Sequence, residues 1–290
     1  LDSGAGDYER LWLTTSLRGY AMGVLSVETL TEGVHSGNAG GIVPETFRIV
    51  RSLLERLEDA ATGQVRVDAL HVEIPEERAA QAQLVADALG NNVHECFPLT
   101  EGTSPMGTDL AELVLNRTWR PALAVTGADG LPPLSLAGNV LRPHTRVKIS
   151  LRIPPTCDPE AAIAAVKETL EKDPPHGAKV SFGNTGCAGG WNAPELADWL
   201  AEAVDESSRT FFDRGAVLMG EGGTIPFMGL LGEKFPRAQF VITGVLGPAS
   251  NAHGPNEFLH IPMGKKITAC VAEITARLYD WGKARAGHTD

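Results

Sequence analysis

The sequence lacks the marks of a membrane protein and of a secreted, disulfide-rich protein. No apolar run in its 290 residues approaches the roughly 20 residues that a membrane-spanning helix needs. No signal peptide is visible. The four cysteines (Cys96, Cys157, Cys187 and Cys270) lie far apart and include no Cys-x-x-Cys pair. They are expected to be reduced thiols in a cytoplasmic protein, neither a disulfide framework nor a zinc knot.

Basic residues are too few for a nucleic-acid-binding surface. The chain has 36 acidic and 25 basic residues, a net charge of −11, and no basic stripe. We therefore expect neither a nucleic-acid nor a membrane partner, and we interpret the acidic surface as a solubility feature. The length allows two ordinary domains or one large one, and 43% hydrophobic residues are typical of a globular protein.

The first half of the chain predicts a ferredoxin-like domain with an insertion. Strands are predicted at residues 11–15 and 23–30, a glycine-rich turn at 33–41, and a helix after Pro44. Apolar and polar residues alternate strictly over 145–153, which predicts a strand with one buried face. Asp158 is expected to cap the next helix, and 179–182 to form another strand. This order is ferredoxin-like apart from an insertion at 59–135, where we expect a helix at 76–89 and Pro- and Gly-rich connections.

The second half alternates between strand and helix patterns. Residues 192–195 are expected to cap a helix, strands are expected at 215–219 and 239–244, and a closing helix at 265–281. Such alternation predicts a parallel or mixed sheet covered by helices. The unit is small for a complete doubly wound domain, the first residue is not Met, and residues 1–4 resemble a strand end. We therefore expect a further N-terminal portion in the natural protein.

Two loops follow strands in this second half, where open α/β sheets bind ligands. The glycine loop (residues 220–226) contains Gly222 and Gly223, which allow close approach of the backbone to a carboxylate or oxyanion. A plain glycine turn is the alternative, and the loop lacks the residues of a nucleotide-binding motif. The histidine loop (residues 251–257) presents His253 among small residues as a metal ligand or a surface histidine. One histidine cannot complete a metal site. His260 is expected to pack or face solvent.

Three further polar residues are weaker candidates. His35 lies in the glycine-rich turn and could face an anion or a tetrahedral intermediate, or be an ordinary turn residue. Arg152 lies on the polar face of the alternating strand and could bind a carboxylate, or simply face solvent. Asn139 could donate a hydrogen bond to the same carboxylate.

Together these segments resemble a known family. Val-His-Ser-Gly at 34–37, Gly-Asn-Val at 138–140, Glu-Gly-Gly-Thr-Ile-Pro at 221–226 and Asn-Ala-His-Gly-Pro-Asn-Glu at 251–257 occur in this order in the M20 di-metal peptidases. The closest resemblance is to the carnosinase-like, cytosolic non-specific dipeptidase branch, and it covers almost all of the chain. It implies an α/β catalytic domain with two zinc or manganese ions and an inserted α+β lid domain that forms a homodimer.

The resemblance also implies roles for individual residues. Asp2 and His253 match ligands of the two metals, and His35 matches a lid histidine that stabilises the oxyanion in the partner subunit's site. Asn139 and Arg152 match residues that contact the substrate and its carboxylate. The remaining implied substrate contacts are in the glycine loop, at Gly222 and Gly223.

The chain departs from the family pattern in two respects. The family's His-x-Asp motif, bridging Asp and Glu-Glu pair have no counterpart here, and residues 185–191 lack a histidine common in dipeptidases. We expect residues 1–17 to be the end of a catalytic-domain strand and a linker, 18–188 to form the lid and dimerisation domain, and 189–290 to be the C-terminal part of the catalytic domain. These residues alone are expected to bind metal poorly and to be inactive.

The expected substrate is a small peptide or an N-acyl amino acid. One alternative is therefore an M20 amidohydrolase that deacylates N-acyl amino acids or acts as a desuccinylase. The second alternative is a non-enzymatic dimerisation and binding module.

Overall fold

The computed structural model describes residues 3–286, which form two sheets and a short two-stranded ribbon. The strands in this range are β1 (Trp12–Leu17), β2 (Gly19–Glu28), β3 (Val34–His35), β4 (Ala122–Asp129), β5 (Val140–Leu141), β6 (His144–Ile153), β7 (Lys179–Ala188), β8 (Trp191–Asn192) and β9 (Val217–Glu221). The helices are α1 (Ser36–Ala39), α2 (Thr46–Leu57), α3 (Glu76–Leu89), α4 (Asn92–Glu95), α5 (Leu110–Thr118), α6 (Pro159–Glu171), α7 (Asp198–Phe212), α8 (Pro226–Lys234) and α9 (Ile261–Ala286). None of these helices has the length and apolarity that crossing a membrane requires.

The larger sheet has four antiparallel strands in the order β4-β6-β2-β7. Helices α2 and α6 pack on one face and on each other. With the chain order β2-α2-β4-β6-α6-β7, this arrangement is ferredoxin-like, as the sequence predicted.

The central strand β6 shows why the sequence pattern was informative here. Val147, Ile149 and Leu151 are each at most 3% exposed, whereas the intervening Arg146 and Lys148 are exposed. Strand β6 pairs with β2 along its whole length, from Gly19 opposite Ile153 to Glu28 opposite His144. Alternation therefore sets which face enters the core, because successive side chains of a strand point to opposite faces.

The edge strand β4 and the helix α5 were not predicted. Both lie within the insertion, where only a helix at 76–89 and connections were expected; that helix is confirmed as α3. Strand β4 escaped prediction because all its residues are partly or fully exposed, so no buried face imposes an apolar alternation on its sequence.

The smaller sheet is mixed, as predicted, with the order β8-β1-β9. Strand β1 runs parallel to β9 and antiparallel to β8. Trp12 and Leu13 of β1 are at most 1% exposed in a core that also contains Leu200 of α7 and Met263 of α9. The closing helix is longer than expected, because it begins at Ile261.

The helices of the insertion pack on this smaller sheet rather than on the larger one. Val85 of α3 and Val114 and Leu115 of α5 belong to the same core as Trp12. Arg78 of α3 also donates from Nε to the Asn192 side chain of β8 over 2.9 Å. The division of the chain at 17/18 and 188/189 stays a prediction. Within 18–188, however, α3 and α5 pack on the smaller sheet and α2 and α6 on the larger one.

Three local expectations were wrong. Residues 239–244 form no strand: β8 occupies the same edge of β1 at Ser16 and Leu17, and Thr14 N–H donates to the Ile242 carbonyl over 2.8 Å. Helix α7 begins only at Asp198, because residues 191–192 belong to β8. The glycine-rich turn at 33–41 is instead the strand β3 followed by the helical turn α1.

Asp158 is confirmed as the cap of α6, since its carboxylate accepts from the backbone N–H groups of Glu160 and Ala161, each over 2.9 Å. We expect Asp158→Ala to lower the free energy of unfolding by about 1 kcal/mol, because two helix N–H groups lose their acceptor. Asp158→Asn keeps an acceptor oxygen and should retain most of the stability. Urea denaturation of both variants measures this difference, and equal losses of stability would contradict the role of the acceptor oxygen.

Candidate functional site

The chain passes from the smaller to the larger sheet at Arg18, between β1 and β2. The Arg18 N–H donates to the Glu221 carbonyl over 3.3 Å, and the Arg18 carbonyl accepts from Thr224 Oγ1 over 2.6 Å. Both partners belong to the glycine loop. The crossing between the sheets and this loop are therefore held together by hydrogen bonds to the Arg18 backbone.

The Arg18 side chain strengthens the same junction and is only 8% exposed. Its Nε donates to the Gly222 carbonyl over 3.3 Å. Its Nη1 donates to the carbonyls of Asn116 and Arg120, at the C-terminal end of α5, over 3.3 and 3.4 Å. One guanidinium thus joins the glycine loop to α5.

Arg152 reaches the glycine loop from the larger sheet. It lies on β6 opposite Tyr20 of β2, and its Nη1 donates to Thr224 Oγ1 over 3.1 Å. The structure therefore brings together three of the residues predicted for substrate binding: Arg152, Gly222 and Gly223. The prediction missed Thr224, whose place in the Glu-Gly-Gly-Thr-Ile-Pro segment was the available signal.

Positive charge accumulates around this loop. The pKa of Arg18 is lowered to about 10, first by burial and then by the neighbouring charges of Arg152 and Arg117. In the part of the chain that the structure describes, none of these three guanidinium groups forms an ion pair with a carboxylate. Because clustered, partly buried positive charges favour a counter-anion, the junction is suited to binding a carboxylate.

The two central glycines of the loop are not equivalent. A Cβ atom on Gly222 would lie 3.1 Å from both the Arg117 carbonyl oxygen and Arg18 Nη2, whereas one on Gly223 would meet nothing within 4 Å. Gly222 therefore allows α5 and Arg18 to approach the loop closely. The backbone at Gly223 is open to a ligand.

Glu221 connects the glycine loop to the N-terminal segment. Its Oε1 accepts from the Gly4 N–H over 3.1 Å. Burial raises the pKa of Glu221, and the Arg117 charge and the Gly4 hydrogen bond act in the opposite direction. Asp2, the predicted metal ligand, lies outside the described residues.

The residues that lead into the histidine loop lie beside the same N-terminal segment. The Ala5 N–H donates to the Leu246 carbonyl over 3.0 Å, and Tyr8 Oη donates to the Pro248 carbonyl over 2.9 Å. His253 is exposed with a positive φ of 61°, and its backbone N–H donates to Glu257 Oε2 over 2.8 Å. Its imidazole is therefore presented outward from a tightly turned loop.

His260 has a structural role that the sequence did not reveal. Its ring stacks on Tyr8 with centroids 4.2 Å apart, and its Nδ1 accepts from the Met263 N–H in the first turn of α9 over 3.2 Å. It therefore packs, as one of the two expectations held, and it also helps to anchor the chain after the histidine loop.

His35 and Asn139 come together on the β3–β5 ribbon. His35 pairs with Val140, and the Ser36 N–H donates to the Asn139 carbonyl over 2.9 Å. Both side chains are exposed, and within residues 3–286 no hydrogen bond joins either one to Arg152 or to the glycine loop. The predicted site residues thus fall into separate groups within one chain.

The described residues do not by themselves make a metal site. Across residues 3–286, no three His, Cys, Asp or Glu side chains are arranged to hold a metal ion. His253 is a single candidate ligand, and hydrolytic zinc sites take at least three protein ligands.

Comparison with known proteins identifies the family. Residues 15–178 match the M20 peptidase dimerisation domain. The chain belongs to the M20 peptidase family. It is 30% identical over 251 residues to the cysteinylglycine-S-conjugate dipeptidase of Corynebacterium striatum, which covers 84% of this chain and 52% of that protein. The chain thus spans about half the length of this curated relative.

Solved structures of M20 peptidases share the fold. The dipeptidase Dug1p of Saccharomyces cerevisiae superposes with a TM-score of 0.74 at 19% identity, covering 94% of this chain and 57% of that one. Human carnosine dipeptidase 1 superposes with a TM-score of 0.70 at 20% identity, covering 93% and 57%. These structures share the fold, and the family match together with the dipeptidase relative confirms the resemblance to the dipeptidase branch.

The contrast between the two glycines can be tested by substitution. We expect Gly222→Ala to lower the free energy of unfolding by about 1–3 kcal/mol, because the added methyl overpacks against Arg18 and the Arg117 carbonyl. Gly223→Ala is the matched control and should leave stability nearly unchanged. Thermal and urea denaturation measure both variants, and a control as unstable as Gly222→Ala would contradict the packing argument.

Proposed function

We propose that this chain provides the lid and the C-terminal part of the catalytic domain of an M20 dipeptidase that hydrolyses dipeptides with a free C-terminal carboxylate. The observation that carries the proposal is the meeting of Arg152 with Thr224 of the glycine loop beside Arg18 and Arg117. Among the described residues, none of these three arginines forms an ion pair with a carboxylate. The dipeptidase relative of Corynebacterium striatum supports the substrate class.

The junction has the groups that recognition of a substrate carboxylate requires. Arg152 contributes a guanidinium, which can donate two parallel hydrogen bonds to a carboxylate. Gly223 leaves the backbone of the loop accessible just before the start of α8, while Gly222 allows Arg18 to pack closely against the loop. We assign Asn139 to a further contact with the substrate.

Metal binding is part of the proposal for the whole protein. We assign Asp2 and His253 to two different divalent ions, zinc or manganese, with the other ligands supplied from outside the described residues. When bound, such ions activate a water molecule for attack on a peptide carbonyl. His253 suits this role because its imidazole is exposed and Tyr8 anchors the chain on both sides of its loop, at Pro248 and at His260.

A homodimer through the lid is also proposed. The match to a dimerisation domain supports it, as do the exposed edge strand β4 and the nearby Leu134 and Leu136, which are 95% and 75% exposed. We assign the exposed His35 to the partner subunit's site, where its imidazole would stabilise the oxyanion. The separation of His35 from the glycine loop within one chain fits that assignment.

Arg152→Lys, made in the protein encoded by the complete gene, tests recognition of the substrate carboxylate. We expect KM for a dipeptide to rise about tenfold or more, because Lys cannot reproduce the two-pronged contact, with little change for the corresponding dipeptide amide. Arg146→Lys, on the polar face of the same strand, is the control and should change KM less than twofold, since an exposed ion pair contributes little. Equal effects of the two substitutions would refute the assignment.

A panel of substrates distinguishes the dipeptidase hypothesis from the amidohydrolase hypothesis. Preference for dipeptides over N-acyl amino acids supports the dipeptidase, and the reverse preference supports the amidohydrolase. The non-enzymatic alternative predicts that the upstream coding sequence lacks an in-frame His-x-Asp motif and Glu-Glu pair.

Chelation tests the metal proposal. Activity of the gene-encoded protein should disappear with a chelator and return with zinc or manganese, because the activated water depends on the ions. A preparation shown by mass spectrometry to contain only these 290 residues should hydrolyse nothing. Metal-dependent dipeptidase activity from that preparation would overturn the assignment of the missing ligands.

A further inference from the structure

We propose that Arg18 is a positioning residue that holds the glycine loop in its carboxylate-binding shape and couples that loop to the lid. This inference rests on the proposed function and adds a residue that does not itself touch the substrate. Arg18 is the one residue between β1 and β2, so its position is shared by both sheets.

Both the backbone and the side chain of Arg18 are bound to the glycine loop. Its N–H donates to the Glu221 carbonyl, its carbonyl accepts from Thr224, and its Nε donates to the Gly222 carbonyl. Three residues of the loop (Glu221, Gly222 and Thr224) are thus hydrogen-bonded to one residue. Rotation or translation of the loop would break several of these hydrogen bonds together.

The hydroxyl of Thr224 links Arg18 to Arg152 through two hydrogen bonds. Its proton is donated to the Arg18 carbonyl, so an oxygen lone pair remains to accept from Arg152 Nη1. The orientation of the Arg152 guanidinium therefore depends on where Arg18 holds Thr224. A displaced Arg18 would misalign Arg152 without removing any group that contacts the carboxylate.

The second anchor of Arg18 is the end of α5. The carbonyls of Asn116 and Arg120 accept from Nη1, and carbonyl groups at a helix C-terminus attract positive charge. Lysine has one compact ammonium group and cannot reach the loop and the helix end along two separate directions. The geometry thus requires arginine, not only a positive charge.

Neighbouring positive charge links this positioning role to anion binding. Burial lowers the pKa of Arg18, and the neighbouring charges of Arg152 and Arg117 lower it further. A substrate carboxylate at Arg152 would offset this repulsion. Arg18 is therefore expected to be most firmly held when the site is occupied.

The matched control is Arg56, which performs similar chemistry elsewhere. Its guanidinium donates to the carbonyls of Thr169, Lys172 and Asp173 around the C-terminal end of α6, within the larger sheet's domain and away from the glycine loop. Arg56→Lys therefore reports the general effect of weakening such an arginine clamp.

The decisive experiment compares Arg18→Lys with Arg56→Lys in the gene-encoded protein. We expect Arg18→Lys to raise KM for a dipeptide about tenfold, with kcat/KM for the dipeptide amide within about twofold of the unsubstituted protein, because only the carboxylate contact is misaligned. Hydrogen exchange of residues 220–226 should also become faster. Arg56→Lys should change neither measurement.

Each other outcome decides the question as well. Equal effects of the two substitutions, or equal losses for dipeptide and amide with unchanged loop exchange, would overturn the role of Arg18. If Arg18→Lys does not fold, Thr224→Val provides the second test, because it removes the hydroxyl that joins the Arg18 carbonyl to Arg152. It should raise KM for the dipeptide in the same way, and an unchanged KM overturns the proposal.

The exchange measurement also separates this inference from the proposed function. If the unsubstituted protein hydrolyses no dipeptide, the proposed function fails. Faster exchange of the loop in Arg18→Lys alone would then still support the coupling, and equal exchange in both variants would overturn it.

Discussion

The structure depends on the way one arginine joins two sheets and a loop. The chain leaves the smaller sheet after Leu17 and enters the larger one at Gly19. The intervening Arg18 is hydrogen-bonded through both its backbone and its guanidinium. Because its backbone and side chain bind the same glycine loop, short-range contacts at one point hold the loop against the start of the larger sheet. The position of Arg152 relative to that loop follows from this constraint.

Electrostatics explains why such a junction is suited to a ligand rather than to a closed core. Arginines at positions 18, 117 and 152 lie close together, and the described residues offer them no carboxylate ion pair. A partly buried cationic cluster of this kind is costly unless an anion joins it. Gly222 permits the close packing around the cluster, while Gly223 leaves the backbone open on the ligand side. Packing and charge therefore both favour binding of an anionic ligand at the glycine loop.

Local sequence signals predicted those elements whose environment is regular. Strand β6 alternates because one face is buried against α2 and α6, and Asp158 caps α6 through its immediate neighbours. Local signals failed to predict elements that have no buried face or that depend on residues distant in the chain. Strand β4 has no buried face, and residues 239–244 have an apolar strand pattern but lie where β8 already pairs with the edge of β1.

By itself, the sequence determined the ferredoxin-like order, the family resemblance and the identity of Arg152, His35, Asn139 and His253 as candidates. These follow from local periodicity and from motifs that are contiguous in the chain. Only the tertiary structure decided that Arg152 meets Thr224, that α3 and α5 cover the smaller sheet, and that His35 and Asn139 form a separate group. The physical reason is separation along the chain: Arg18 and Gly222 are brought together by sheet pairing and core packing, which no local pattern encodes.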